Sequence, residues 1–596
     1  MFDNQEQVKK KIEELHSGDI KQLEAIFSEA KKLIIEAPAG YGKTKTMIST
    51  IAYLIASKQL LYPKKVLALT FSVNSAIKIK NDIALYLPNM LGVDINSTIK
   101  LNEKVFISNY HGFCRHFLKL YGYLMHENLV SINSLSSVDD SSAQHLNSLD
   151  IGLSLDEINL LTRISEAIKS YDIDILNKEW LEYTNIVLNK FITNNFITYN
   201  AIILLVIKCL VEHPTIKEFY QKFFPIIIVD EFQDTNAISW RLLRELTNEK
   251  TRLILMGDSL QRIYGFIGAI PSLLSKAQKI YEAEKIQLEK NYRFKDNPQM
   301  LLLDKNIRAN AENPSNPEIN ESARIPYRLF QTQIEESSWV AEKIWELIRS
   351  GDNVRIAILV QQRSSNIEVI MDTLSSSGVD YFFGLFRDDD SEYIRFHMQS
   401  LLLFRDIIKN KATISKVLLS KFYKMVKDEL KDQDSPTYNS LLALLQIFIN
   451  KIGELVFLTS EEKTTLIIET LENRALKQNM EHVSSNVLIS TVHGAKGLEW
   501  DYVILPDMEQ FLFPNYPSLC GMCRSRFTNP CEFILTPSLE DTFLAELSVF
   551  YVAVTRARKQ VFFSGSKYRL DRDGNEQQAK PSCLVRLPGI VLDEEE

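Results

Sequence analysis

Glu36-Ala-Pro-Ala-Gly-Tyr-Gly-Lys-Thr-Lys-Thr46 follows directly on the apolar run Leu33-Ile34-Ile35. A small residue, four spacers and then Gly42-Lys43-Thr44 is the pattern of a phosphate-gripping loop, with Ala37 standing where the commonest version has glycine. Such a loop is a tight turn whose backbone N–H groups surround a β-phosphate at the start of a helix. Gly40 and Gly42 permit that approach, Lys43 supplies charge for the β- and γ-phosphates, and the Thr44 hydroxyl can ligate Mg²⁺. Ala37, Pro38, Ala39, Gly40, Tyr41, Gly42, Lys43, Thr44 and Lys45 are therefore the expected nucleotide cradle. The β-branched run before it and the helix-compatible KTMISTIAYLIASK after it give a strand–loop–helix unit, which sets an α/β fold.

At 596 residues the chain is too long for one core, so several domains are expected. Hydrophobic residues at 45% and charged residues at 24% are ordinary globular values. The apolar run Ala201 to Ile207 stops at Lys208, far short of a bilayer span. The start, MFDNQEQVKKK, has no apolar core and no cleavage site, so no signal peptide is expected. Six cysteines over this length do not suggest a disulfide scaffold, and a reducing cytoplasm is the default location. A net charge of −8 argues against indiscriminate binding to polyanions, but leaves room for a local basic groove.

A nucleotide hydrolase also needs a carboxylate for Mg²⁺ and a group that orients water. Phe223-Phe-Pro-Ile-Ile-Ile-Val-Asp-Glu231 ends an apolar, strand-like run in two adjacent acids. Buried parallel strands read as continuous hydrophobics, and their C-terminal ends face the ligand crevice. Asp230 is expected to hold Mg²⁺ through water, with Glu231 polarising the attacking water. The run continues as Asp-Glu-Phe-Gln-Asp-Thr235, which is much more specific than two acids alone.

DEFQDT in this context resembles the superfamily 1A DNA helicases, the UvrD/Rep/PcrA-like group, and the rest of that group's motif set follows in order. Gln22-Leu-Glu-Ala-Ile26 is similar to the glutamine motif, which implies that Gln22 reads adenine and that the nucleotide is ATP. Val66-Leu-Ala-Leu-Thr-Phe71 resembles a motif that touches single-stranded DNA, assigning Thr70 and Phe71 to that strand; Ser72-Val-Asn74 departs from the usual continuation. Asn109-Tyr-His-Gly-Phe113 resembles the next strand-binding motif and adds His111. In the segment from Leu253 to Ala269, Gln261 matches the glutamine that senses the γ-phosphate. Tyr264 and Phe266 match aromatic positions, Phe266 standing where a tryptophan usually stacks on a base; such stacking tolerates any sequence. Ile267 replaces the usual arginine there, and Arg262 takes a position that is normally small. Leu288-Glu-Lys-Asn-Tyr-Arg-Phe294 matches the first motif of a second motor domain, implying Arg293 on the γ-phosphate and Tyr292 near the adenine. Ser490-Thr-Val-His-Gly-Ala-Lys-Gly-Leu-Glu-Trp500 places His493 and Lys496 toward DNA and Glu499 toward the ribose. Phe550-Tyr-Val-Ala-Val-Thr-Arg-Ala-Arg558 places Arg556 as an arginine finger, a device worth orders of magnitude in hydrolysis rate.

The resemblance spans Gln22 to about Lys559 and implies two RecA-like parallel-sheet motor domains of the P-loop NTPase class, each with a mainly helical insertion, and ATP in the cleft between them. The expected division is 1–109 with 216–285 as the first motor domain (1A), 110–215 as its insertion (1B), 286–395 with 485–570 as the second motor domain (2A), 396–484 as a compact second insertion (2B), and 571–596 as a C-terminal tail. Within 1B, Ser131 to Asp150 is polar and serine-rich and reads as a mobile loop, while LDEINLLTRISEAIKSYD and, in 2B, SLLALLQIFINKIGELVF have helical apolar spacing. Only Lys559 to Glu596 follow the last motif, too little for a nuclease domain.

Cys520, Cys523 and Cys531 in CGMCRSRFTNPC stand outside the motif set; zinc fits the CxxC spacing but needs a fourth ligand, for which Cys583 is the candidate, and free thiols are the alternative. The expected activity is an ATP-driven, Mg²⁺-dependent 3′→5′ translocase and helicase on single-stranded DNA and duplex–single-strand junctions, serving repair, replication or phage defence. The alternative is a DNA-stimulated ATPase subunit serving a partner nuclease. A nucleotide-controlled switch without hydrolysis is disfavoured, since Lys43, Asp230, Glu231, Gln261, Arg293 and Arg556 are all present.

Overall fold

Leu33-Ile34-Ile35 lies within strand β1 (Lys32–Glu36) of a computed structural model of the chain. The structure describes residues 5–57, 60–92, 103–263, 265, 268–351, 353–387, 390–409, 411, 413–431, 433, 435–455, 458–523, 533–570 and 575–594. The chain folds as two units. The first comprises Met1–Lys290, Phe404–Ile414 and Leu455–Ala475; the second comprises Asn291–Leu403, Ser415–Glu454 and Leu476–Glu596.

In the first unit β1 is followed by β2 (Val66–Thr70) and β3 (Val105–Asn109). The chain then departs into a helical excursion that contains the small parallel pair β4 (Ser136–Val138) and β5 (Phe196–Thr198). It returns through β6 (Ile226–Val229), β7 (Arg252–Gly257) and β8 (Glu284–Gln287). The six long strands form one parallel sheet in the order β3-β2-β6-β7-β1-β8. Alternation along β1 feeds two cores: Ile34 joins the cluster on one face, and Leu33 and Ile35 join that on the other. Apolar side chains are therefore needed at every position, which is why these strands read as unbroken hydrophobic runs.

The excursion between β3 and β6 is mainly helical, with helices Tyr110–Tyr121, Leu155–Ser170, Ile173–Ile186, Tyr199–Glu212 and Pro214–Phe223. The helix expected from LDEINLLTRISEAIKSYD spans Leu155–Ser170 and opens on a capping box between Ser154 and Glu157. The run Ala201 to Ile207 is fully buried within helix Tyr199–Glu212. Among the described residues no single helix is long and apolar enough to cross a membrane.

Ser131 to Asp150 is not a structureless loop. It forms a 3₁₀ turn, strand β4 and helix Ala143–Ser148, and it buries Ile132, Leu135, Val138 and Leu146. Its serines mislead because Ser142 serves as a helix cap, while buried Asp140 accepts hydrogen bonds from Tyr183 Oη and Asn200 Nδ2, the latter at 2.9 Å. A few apolar anchors and satisfied polar groups outweigh a polar average.

The second unit holds β9 (Ala323–Thr332), β10 (Ile356–Val360), β11 (Tyr381–Gly384), β12 (Val487–Thr491), β13 (Trp500–Leu505), β14 (Ala557–Leu570), β15 (Glu576–Gln578) and β16 (Ile590–Glu594). Their order is β11-β12-β10-β13-β14-β9-β16, all parallel, with β15 antiparallel on β14. Residues beyond 570, expected as a tail, thus add two strands; β16 pairs with β9 in the register Ile590 to Ala323.

The segment 396–484 is likewise not a single body. Two internal stretches, Phe404–Ile414 and Leu455–Ala475, belong with the first unit, while 396–403, 415–454 and 476–484 belong with the second. Glu472 shows how these two stretches are fastened. Its buried carboxylate takes Arg115 Nη2 at 2.5 Å and Arg405 Nη2 at 2.7 Å, and its carbonyl accepts from Tyr199 Oη at 2.8 Å. Two guanidinium partners offset the cost of burying that charge.

Candidate nucleotide and nucleic-acid site

The loop after β1 turns on Gly40 and Gly42, whose φ values of 84° and 81° lie in the left-handed region open to glycine. Gly42 caps helix Lys43–Ala56, so the first N–H groups of that helix face the loop. Its carbonyl accepts from Thr46 N at 2.9 Å and from Thr46 Oγ1 at 3.1 Å. Ala37, Pro38 and Ala39 are buried, and Ala37 N donates to Gly257 O at 2.9 Å, which ties the loop to the end of β7. Tyr41 has a definite place: its ring packs against the sheet core and its carbonyl accepts from Gln22 Nε2 at 2.9 Å.

Gln22 is therefore fastened to the loop, with its amide buried and its oxygen hydrogen-bonded to His16 Nδ1. His16 Nε2 in turn meets Ser49 Oγ at 2.8 Å, and burial lowers the pKa of the ring. Lys45 turns away from the loop to donate to Leu15 O at 2.8 Å.

Lys43 Nζ is ion-paired with Glu231 Oε1 and, at 3.3 Å, with Asp230 Oδ1. Burial opposes its charge, but Asp230 and Glu231, with Asp258 beyond them, more than offset that, and its pKa is raised. Burial pushes Asp230 up, against the pull of Lys43. Asp230 Oδ1 is buried without a hydrogen bond, and Thr44 is half-buried in the same loop. A carboxylate and a hydroxyl are hard oxygen donors suited to Mg²⁺, whose other ligands would be water and phosphate oxygens. Glu231 adopts φ +51°, ψ +41°, a strained backbone for a non-glycine residue.

Sequence reading missed the groups that hold these acids. Gln233 Nε2 donates to Glu231 Oε2 at 2.6 Å, and Gln233 Oε1 accepts from Asp258 N at 3.1 Å. A Cβ at Gly257 would come within 2.5 Å of Gln233 Oε1, so the glycine that ends β7 makes room for that side chain. Gln261 is buried and donates to Asp258 Oδ2 at 2.9 Å. Arg262, at its unusual position, donates to Ala269 O at 3.0 Å and closes its own loop. Only the signature DEFQDT itself could have flagged Gln233.

In the second unit Arg293 donates to Thr555 O and pairs with Glu499. Arg558 Nε approaches the other Glu499 oxygen at 3.3 Å, so Glu499 collects two guanidinium groups. Arg556 is buried and donates to Val552 O at 3.0 Å, Leu498 O at 3.2 Å and Thr555 Oγ1 at 3.2 Å. Tyr292 is exposed beside Arg293. The turn carrying both is set by Asn291, whose Oδ1 accepts from Arg293 N at 2.9 Å and Phe294 N at 3.1 Å. Asn291 Nδ2 donates to Asp304 Oδ2 at 3.2 Å, and Tyr551 Oη donates to Asp304 Oδ1 at 2.9 Å. This buried Asn291–Asp304–Tyr551 chain links two motifs far apart in sequence, and Asp304 lies in neither.

Of the strand-contact candidates, Thr70 is buried at the C-terminal end of β2, with Phe71 half-buried after it. His111 lies in the first turn of helix Tyr110–Tyr121, where burial and then the Arg115 charge lower its pKa to about 4, leaving the ring neutral. His493 and Lys496 are half-buried in the loop between β12 and β13. Tyr264 and Phe266 lie outside the described residues.

The zinc expectation finds no support among the described residues: no group of three or more His, Cys, Asp or Glu side chains is placed to hold a metal ion. Cys520, Cys523 and Cys583 are buried, Cys520 Sγ accepts from Phe511 N at 3.4 Å, and Cys531 lies outside the described residues.

Residues 19–282 match the UvrD/REP helicase N-terminal domain, and residues 391–568 match the UvrD-like helicase C-terminal domain. The chain is similar to the ATP-dependent DNA helicase PcrA of Bacillus subtilis (strain 168), at 24% identity over 96% of this chain and 86% of that protein. It is similar at the same identity and coverage to PcrA of Staphylococcus epidermidis, and at 23% identity over 97% of this chain and 87% of the relative to PcrA of Staphylococcus aureus. Two RecA-like parallel sheets, a phosphate loop with its paired acids, and both family domains in order place this chain in the superfamily 1A helicases, as a member of the UvrD/Rep/PcrA-like family of ATP-dependent enzymes.

Proposed function

We propose that the chain is a cytoplasmic, ATP-hydrolysing motor that moves 3′→5′ along single-stranded DNA and separates strands at duplex junctions. The observation that carries the chemistry is Lys43, held between Asp230 and Glu231 at the mouth of a glycine turn. Phosphate binding draws Lys43 onto the β- and γ-oxygens, which frees Asp230 for Mg²⁺ and Glu231 for water. Mg²⁺, when bound through Thr44 and Asp230, neutralises charge on the phosphates. Gln233 then fixes the direction of Glu231, and Gln261 hydrogen-bonds near the transferred group. Adenine is read at Gln22 and Tyr292, and ribose at Glu499. Arg293 and Arg556, both in the second unit, are the proposed γ-phosphate arginines. Thr70, Phe71, His111, Tyr264, Phe266, His493 and Lys496 are the proposed strand contacts, and binding should weaken with salt. The division into motor domains and insertions given above is proposed with the motor.

A second reading is favoured by one observation. The expected second insertion is short, and two stretches of it, Phe404–Ile414 and Leu455–Ala475, belong with the first unit. A motor built this way would serve a partner nuclease in repair or phage defence, unwinding weakly by itself.

The test is strand separation on duplexes with a 3′ or a 5′ single-stranded tail, with ATP hydrolysis recorded alongside, in the parent and in Lys43→Ala. Unwinding from the 3′ tail, lost with hydrolysis in the variant, supports the motor. Hydrolysis stimulated by single strands without unwinding from either tail supports the partner-dependent reading. Unwinding from the 5′ tail alone overturns the polarity, and hydrolysis unchanged in Lys43→Ala overturns the site.

A further inference from the structure

A cavity of about 370 Å³ lies in the first unit beside β3, the edge strand of its sheet. Helices Val73–Met90 and Tyr110–Tyr121 form its sides, and helix Ser460–Glu472 closes it. Its walls are largely apolar, with Val73, Ala76, Ile77, Ile83, Ile107 and Leu466 among them. No nucleotide contact assigned above uses this space.

Two polar atoms in that lining have no partner, and both are acceptors. Glu469 is 4% exposed, and its Oε1 makes no hydrogen bond. Asn133 Oδ1 is buried without a partner, while its Nδ2 is turned to Thr465 Oγ1 at 3.4 Å. The neighbouring guanidinium of Arg115 is committed to Glu472 and to Ser137 Oγ, the latter at 2.8 Å. A buried acceptor left unmatched costs about 1–3 kcal/mol, so the cavity favours an occupant that brings N–H donors. Such an occupant must also be largely apolar, to suit the walls.

The cavity adjoins the motif Asn109–Phe113: Ser108, Asn109 and Gly112 all line it. A Cβ at Gly112 would stand 2.9 Å from Glu469 Oε1 and 2.6 Å from Asn109 Oδ1, so glycine is the residue that lets helix Ser460–Glu472 bring its carboxyl this close. Cations stand at the same lining, Lys80 3.8 Å from Glu462 and Lys119 2.5 Å from Glu461. These ion pairs are the exchangeable kind, able to trade a carboxylate for a phosphate.

We propose that this cavity receives a nucleobase bearing an exocyclic amine, whose N–H groups are accepted by Glu469 and Asn133, with Lys80 and Lys119 meeting its phosphate. The inference rests on the reading of Asn109–Phe113 as a strand-binding motif. It predicts a base preference in a motor whose other contacts are indifferent to sequence. Burial raises Glu469 to about 7, so the acceptor strengthens as it ionises above that pH.

The experiment compares binding of oligo-dC and oligo-dU of equal length to the full-length protein at fixed salt, by fluorescence anisotropy. These strands differ only at the base edge that carries the amine. The parent should bind oligo-dC about tenfold more tightly, the value of one well-made edge contact. Glu469→Leu removes the acceptor and Ala76→Phe fills the cavity; each should abolish the preference while leaving oligo-dU affinity and oligo-dU-stimulated hydrolysis unchanged. Free cytidine that erases the preference where uridine does not would show that the strand's base and a free nucleoside compete for one amine-reading pocket, as the proposal requires. Equal affinities in the parent, or a preference that survives Ala76→Phe in a folded protein, would overturn the cavity's role. Failure to bind either strand would instead sink the DNA-motor reading.

Discussion

The two units bury carboxylates under their sheets' C-terminal ends in opposite ways. In the first, Asp230 and Glu231 are answered by a cation, Lys43. In the second, Glu336, Asp507 and Glu509 are answered mostly by neutral groups. Asn366 Nδ2 bridges Glu336 at 3.0 Å and Asp507, Ser364 Oγ and Ser564 Oγ each donate at 2.7 Å, and Ser566 Oγ donates to Glu509 at 2.9 Å. Arg569 comes no nearer Glu509 than 3.9 Å. A cationic partner pulls against the burial that raises Asp230, whereas amide and hydroxyl partners leave protonation as the cheaper way to bury a carboxyl. Burial raises all three second-unit acids, Glu509 to about 7. The second unit's exchangeable charges are instead arginines, caged by carbonyls and by Glu499. The proposed nucleotide grip and the proposed response to it thus rest on one parallel-sheet plan fitted with different charges.

The sharpest way to break this contrast is to remove the response. Arg556→Ala should lower the ATP turnover number by about 10³-fold or more while the KM for ATP changes little. Steady-state kinetics with saturating single strands would show it, and a loss under tenfold would mean that the arginine is only structural.

The carboxyl contrast predicts a pH effect of definite sign. Glu509 holds its proton more tightly in the folded state than at the ordinary 4.5, so the folded protein binds more protons between 4.5 and about 7. Stability therefore falls as pH rises through that window, by about 3 kcal/mol from this group, and levels off above it. Glu509→Gln should flatten that slope in chemical unfolding followed across the window. An unchanged slope would place the proton uptake elsewhere.

Asp304→Ala strands Tyr551 Oη and Asn291 Nδ2, at a cost of about 2 kcal/mol in unfolding free energy. It should also slow turnover by loosening the Arg293 turn, and Asp304→Asn should restore part of both. Gln233→Ala is the smallest of these changes: turnover should fall about tenfold with KM for ATP near its parent value, because Glu231 is left free to swing. A KM shift alone would show that Gln233 serves binding rather than the direction of Glu231.

Much of the site was legible because its motifs are local. EAPAGYGKTKT and DEFQDT each specify a turn at a strand end, and continuous apolar runs such as Ile226–Val229 announce buried parallel strands. What composition hid was equally local. Ser131 to Asp150 looked loose because its serines cap a helix, and a polar average says nothing of where four apolar anchors point.

The amino-acid sequence by itself determined the class of the protein, the order of its motifs and the residues proposed to meet a nucleotide, since phosphate, Mg²⁺ and a strand end constrain residue types at fixed short spacings. Tertiary structure alone decided that Lys43 stands between both acids, that Gln233 holds Glu231 and Asp304 holds Tyr551, and that Phe404–Ile414 and Leu455–Ala475 belong with the first unit. It alone brought Glu469 beneath Gly112, more than three hundred residues earlier in the chain. Such pairings depend on which buried group finds a partner after the chain has folded back on itself, and no local spacing encodes that choice.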